Sequence, residues 1–168
     1  LLASSPRRIL KGKMMKAIIT GHSSGLGAAL YRQLREQGWD VVGWSKDCES
    51  DDGVDVTSRA FVQQAAAKQS KAGKIDLLIN CAGVNCDAPF LELTDKSWET
   101  VIDTHLKGTF ICSQEFVRQI ADRTGSIINL GAACGIQGRK NGANFCSAKG
   151  GILALTKCMA LELAPQIR

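Results

Sequence analysis

A short apolar run, Lys16-Ala17-Ile18-Ile19-Thr20, leads directly into Gly21-His22-Ser23-Ser24-Gly25-Leu26-Gly27, and this junction limits the fold more than any other part of the chain. The run has the length of a buried strand. Glycines at 21, 25 and 27 admit positive φ and let backbone amides approach a ligand closely. Behind them Leu26, Leu30 and Leu34 recur every four residues and Gly38 follows as a stop, so a helix is expected over 25–37. A helix entered from such a turn aims its N-terminus at an anion such as pyrophosphate. The spacing differs from the Gly-x-Gly-x-x-Gly fingerprint, although the order of strand, turn and helix is the same.

The rest of the chain repeats that alternation. Strands are expected at 16–20, 40–45, 53–56, 75–80 and 126–130, and helices at 25–37, 58–71, 95–120 and 144–163. Apolar strands alternating with helices imply an α/β fold, a doubly wound parallel sheet covered on both faces. With right-handed crossovers the expected strand order is 3-2-1-4-5, with a ligand crevice at the carboxyl ends of strands 1 and 4. Asp47–Gly53 reads as a tight acidic loop.

A length of 168 residues with 45% apolar content suits one soluble domain. The net charge of +5 suggests nucleic-acid binding, but Arg7, Arg8, Lys11 and Lys13 supply four of those charges in a stretch without acids. Beyond residue 14 the net charge is +1, so no basic field supports a nucleic-acid partner. Residues 1–14 are expected to lie outside the fold, as untranslated sequence read through ahead of Met14-Met15 or as a disordered tail. They are too short and too polar for a signal peptide or membrane span. Seven scattered cysteines, an odd number without a secretory signal, point to reduced thiols and a cytoplasmic location. Cys81 and Cys86 with His105 match no strong zinc spacing, so no metal is expected.

The stretch from Gly125 to Gly151 reads GSIINLGAACGIQGRKNGANFCSAKGG. It resembles the active-site segment of the short-chain dehydrogenase/reductase family, in which a strand is followed by Ser with Gly three residues on, then by Tyr-x-x-x-Lys on a helix. The likeness runs over nearly all of the chain after Met15. Gly21–Gly27 is similar to the family's Thr-Gly-x-x-x-Gly-x-Gly turn, and Asn80-Cys81-Ala82-Gly83 to its Asn-Asn-Ala-Gly segment, with Cys at the second Asn. The resemblance implies an NAD(P)-binding Rossmann-like domain. Cofactor contacts would fall at Gly21, Ser23, Ser24, Gly25, Leu26, Gly27, Ser45, Lys46, Asp55, Val56, Asn80, Ala82, Gly83 and Lys149. Asp55-Val56 would meet the adenine. Lys46 stands where an acid would bind the 2′-hydroxyl of NAD, which favours NADP through its 2′-phosphate.

The catalytic positions depart from the family. Ala132 stands where the Ser belongs and Phe145 where the Tyr belongs. Lys149 is kept, and His105 takes the place of the helix Asn. Phenylalanine has no proton to give, and positioned acid–base catalysis contributes about 10²–10⁴-fold. The resemblance therefore implies a homologue of NAD(P)-dependent oxidoreductases acting on a carbonyl or alcohol, impaired in catalysis and still able to bind cofactor. Three alternatives stand beside it: an active oxidoreductase using His105 or water as proton donor, a non-enzymatic protein associating through helices 95–120 and 144–163 as a homo-oligomer, and a decayed fragment. By the family pattern Ile167-Arg168 would open a sixth strand, so the domain is expected to be C-terminally truncated over 15–168, without its final strands.

Overall fold

A computed structural model describes residues 14–47, 53–120 and 124–168. Its centre is β1 (Lys16–Thr20), whose five residues are all buried. A strand flanked on both edges and covered on both faces has no position for an exposed side chain, which explains the unbroken apolar run. To one side β1 pairs in parallel with β2 (Asp40–Trp44), in the register Lys16↔Asp40 to Thr20↔Trp44. To the other it pairs with β3 (Leu77–Asn80), and β3 pairs with β4 (Ser126–Asn129) through Leu77↔Ser126 to Asn80↔Asn129. All pairs are parallel and the order is β2-β1-β3-β4.

The period of two along the strands divides the core. Ala17, Ile19, Leu77 and Ile79 pack on one face with Leu30, Tyr31 and Leu34 of α1 (Gly25–Glu36). Ile18 and Leu78 face the other way, toward Val62 and Ala66 of α2 (Arg59–Lys71) and Ile111 and Phe116 of the long helical run 95–119. That run divides into α3 (Asp95–Ile102), a π turn over Asp103–Lys107, and α4 (Gly108–Gln119). A short α5 (Cys134–Gln137) follows β4, and α6 (Ala143–Leu163) is the last helix. None of the described helices is long and apolar enough to cross a membrane.

The α/β doubly wound architecture agrees with the alternation of the sequence, with one correction. Residues 53–56 form no strand, so the sheet has four described strands where five were expected. Val54 and Val56 are buried as a strand there would bury them. Asp55, however, turns the chain: its carboxylate accepts from the Thr57 amide at 2.9 Å and hydroxyl at 2.7 Å, and its carbonyl accepts from Ser58 N–H at 3.0 Å. The segment bends into the start of α2 before a ladder forms on β2. At the opposite edge Ile167 bridges Gly125 in parallel, with Ile127 N–H donating to Arg168 O at 2.7 Å and Arg168 N–H to Gly125 O at 3.2 Å. The chain there runs alongside β4, as expected for Ile167-Arg168. The leader, apart from Met14, and residues 48–52 of the acidic loop lie outside the described residues.

Candidate functional site

The ends of β1 and β3 open onto a cavity of about 670 Å³. Its floor is the turn Gly21–Gly27, and two contacts hold that turn. Gly21 N–H donates to Trp44 O at 2.7 Å, and the Ser23 and Ser45 hydroxyls lie 2.8 Å apart. Gly21 sits at φ +67, and a Cβ there would come within 2.6 Å of Ala82 Cα. Only glycine meets both the left-handed backbone and the close approach. The β3 turn is held from below: Thr20 Oγ1 accepts from the amides of Cys81 and Ala82, both at 3.0 Å. No side chain caps the first turn of α1 and no acid lies in it, and its residues Gly25, Leu26 and Gly27 line the cavity, a setting in which a helix N-terminus can receive an anion.

All but one of the residues expected at a cofactor line this cavity: Gly21, Ser23, Ser24, Gly25, Leu26, Gly27, Ser45, Lys46, Asp55, Val56, Ala82, Gly83 and Lys149. Asn80 is the exception. Its Nδ2 donates to Ser113 Oγ at 3.0 Å and Asn129 Oδ1 at 2.8 Å, so it joins β3 to α4 and β4 and does not reach the opening. Ala132 does not line the cavity either; its carbonyl accepts from Gly135 N–H at 3.0 Å in the turn into α5.

At the other end of the cavity Phe145, in the first turn of α6, is ringed by polar groups. The His105 ring meets it edge-on with centroids 5.2 Å apart, Lys149 Nζ lies 5.5 Å from its centroid, and the Arg139 guanidinium lies 5.3 Å away. Each cation is within cation–π range of the ring. Arg139, which the sequence reading did not single out, is anchored by Asp87 through bonds of 2.8 and 2.7 Å. Its position depends on the loop that returns from α5 to α6, and no spacing in the sequence announces it. Lys149 donates to Leu130 O at 2.5 Å. Burial pulls its pKa below the usual lysine range, partly offset by Cys81 and Cys134.

The π turn brings His105 inward, where it is buried against the bare backbone of Gly83. Its Nε2 lies 2.8 Å from Val84 O and 3.1 Å from Val84 N, so either tautomer finds a partner there, while Nδ1 has none. Burial lowers its pKa; the Val84 contact opposes the shift and the Lys149 charge adds to it. The folded protein therefore takes up this proton at lower pH than the unfolded chain does. Below about pH 6.5 the unfolded state binds more protons, so stability present at neutral pH is lost as pH falls toward the lowered pKa. In urea unfolding over that window, the parent is expected to lose stability more steeply than His105→Asn, by up to about 1.4 kcal/mol per pH unit.

This arrangement, a glycine turn under a helix N-terminus at the switch point of a parallel sheet with a buried lysine opposite, defines a dinucleotide-binding class of fold. The short chain dehydrogenase family model matches residues 53–168, and the chain belongs to that family. It is similar to the 3-oxoacyl-[acyl-carrier-protein] reductase FabG of Staphylococcus aureus (strain Mu50), 35% identical over 172 residues that cover 90% of this chain and 70% of that protein. FabG of Staphylococcus epidermidis is 36% identical, covering 88% of this chain and 68% of the relative. FabG of Rickettsia conorii is 31% identical, covering 88% and 66%.

Proposed function

We propose that the chain is a nicotinamide-dinucleotide-binding oxidoreductase homologue that holds its cofactor but lacks the proton donor for carbonyl chemistry. The cavity suits such a group: its volume falls within the ~300–1,000 Å³ usual for ligand pockets, and its glycine floor leaves backbone amides exposed. Ser23, Ser24 and the first amides of α1 would hold the diphosphate, Asp55 and Val56 the adenine, and Lys149 the nicotinamide ribose. When bound, the cofactor supplies or accepts a hydride. The names of the relatives suggest reduction of a carbonyl as the ancestral direction. The observation that carries the reading is Phe145: on the wall of the cavity, beside Lys149 and His105, stands a side chain with no ionisable proton.

One observation favours His105 as a substitute donor. It lines the same cavity beside Phe145, and its Nδ1 has no partner. Against it, Nε2 is committed to Val84 and the lowered pKa keeps the ring neutral near pH 7.

Equilibrium titration with NADPH and NADH, read by nicotinamide fluorescence, tests the binding half. Saturable binding is expected, tighter for NADPH because exposed Lys46 lines the cavity just beyond β2, where the family resemblance puts the adenosine ribose. Lys46→Ala is expected to reduce that preference about tenfold, roughly 1.4 kcal/mol, as loss of one charge-assisted contact at a partly solvated site. Absence of binding to either nucleotide overturns the proposal.

A further inference from the structure

Gly43 interrupts β2 with a residue that strands disfavour. A glycine within a strand gives up side-chain packing and backbone restraint, and it commonly marks a place where something approaches the bare backbone. Here the neighbour is the imidazole of His22, from the turn between β1 and α1. A Cβ on Gly43 would overlap Cγ and Cδ2 of that ring and stand 2.5 Å from its Nδ1, so the ring lies over the glycine α-carbon where a side chain would otherwise be. The same ring meets Tyr31 of α1, with centroids 5.1 Å apart and planes at 44°. Tyr31 is itself fixed: its hydroxyl accepts from Arg35 Nη1 at 2.9 Å, and the guanidinium lies 5.6 Å from its ring centre.

The ring adds a third contact to the two hydrogen bonds that join turn and strand. Gly21 is bonded to Trp44, His22 covers Gly43, and the Ser23 hydroxyl meets that of Ser45. Two hydrogen bonds define a hinge line, and a ring wedged between β2 and α1 blocks rotation about it. Neither His22 nor Gly43 lines the cavity, whereas Ser23, Ser24 and Gly25 do. We propose that His22 is a positioning residue for nucleotide binding: seated in the slot that Gly43 leaves open, it sets the turn where Ser23, Ser24 and the first amides of α1 receive the diphosphate. This role rests on the reading of the cavity as a nucleotide site. A turn held in place beforehand loses less freedom when the ligand arrives, so the ring strengthens binding without touching the ligand.

NADPH titration read by nicotinamide fluorescence tests this through His22→Ala, Gly43→Ala and the double variant, each checked by urea unfolding. Either single change is expected to weaken NADPH about tenfold, the first by emptying the slot and the second by expelling the ring. In the His22→Ala background, Gly43→Ala should cost nothing further, because no ring remains to be expelled. His22→Phe, which keeps a flat ring, should bind NADPH within about threefold of the parent. Adenosine 2′-monophosphate, which carries no diphosphate, should displace NADPH with its parent dissociation constant in every variant; a general loosening of the fold would weaken both ligands. If Gly43→Ala does not fold, the contrast between the two ligands in His22→Ala decides. Parent affinity for NADPH in His22→Ala, parallel loss of both ligands, or equal cost of Gly43→Ala in both backgrounds overturns the proposal and leaves the cofactor reading in place. Failure of the parent itself to bind NADPH or NADH overturns both.

Discussion

Restoring both hydroxyls, Ala132→Ser with Phe145→Tyr, is expected to raise NADPH-dependent carbonyl reduction about 10²–10⁴-fold over the parent chain. A tyrosine at 145 would inherit surroundings suited to a depressed phenol pKa, with Lys149 Nζ and the Arg139 guanidinium both within 6 Å of the ring. A hydrogen bond to the developing oxyanion is typically worth ~2.7–4 kcal/mol, and a serine at 132 would contribute it only where its hydroxyl reaches the cavity. Ala132 does not line the cavity, so Phe145→Tyr alone should carry most of the gain, and the two effects need not add. Steady-state rates on a panel of ketones and 3-oxoacyl thioesters measure it. A double variant that binds nucleotide, stays folded and gains nothing would show that more than two side chains are missing.

The second large effect is structural. Gly21→Ala is expected to cost about 3 kcal/mol of stability, from left-handed strain of about 1–2 kcal/mol and overpacking of about 1–3 kcal/mol. The obstacle is the Ala82 backbone, which cannot swing aside like a side chain. The shift should also open the Gly21–Gly27 turn away from β3 and abolish nucleotide binding. Urea unfolding gives the first effect and fluorescence titration the second. A variant with parent stability and parent affinity would mean that the turn does not hold the cofactor through its fit against Ala82.

The sequence made the cofactor side legible because the chemistry there is local. Glycines at 21, 25 and 27 follow a strand within a few residues, and the turn they make needs no distant partner to be read. Ala132 and Phe145 were equally visible as departures from a spaced pattern. What stayed hidden depends on contacts between distant segments. Asn80 stands beside the cavity in sequence terms but spends its amide on Ser113 and Asn129. Residues 53–56 have strand composition, yet the Asp55 carboxylate competes for the turn at Thr57 and wins before pairing begins. The π turn that carries His105 inward and the loop that sets Arg139 over Phe145 have no signature in spacing.

Single-turnover kinetics distinguish a cofactor platform without a proton donor from a working reductase. Parent protein saturated with NADPH is mixed with excess carbonyl compound, and the fluorescence of the bound nicotinamide is followed. Bound fluorescence is expected to form and then to decay no faster with the carbonyl than without it. Carbonyl-dependent decay in the parent at a rate matching the Ala132→Ser, Phe145→Tyr variant would contradict it.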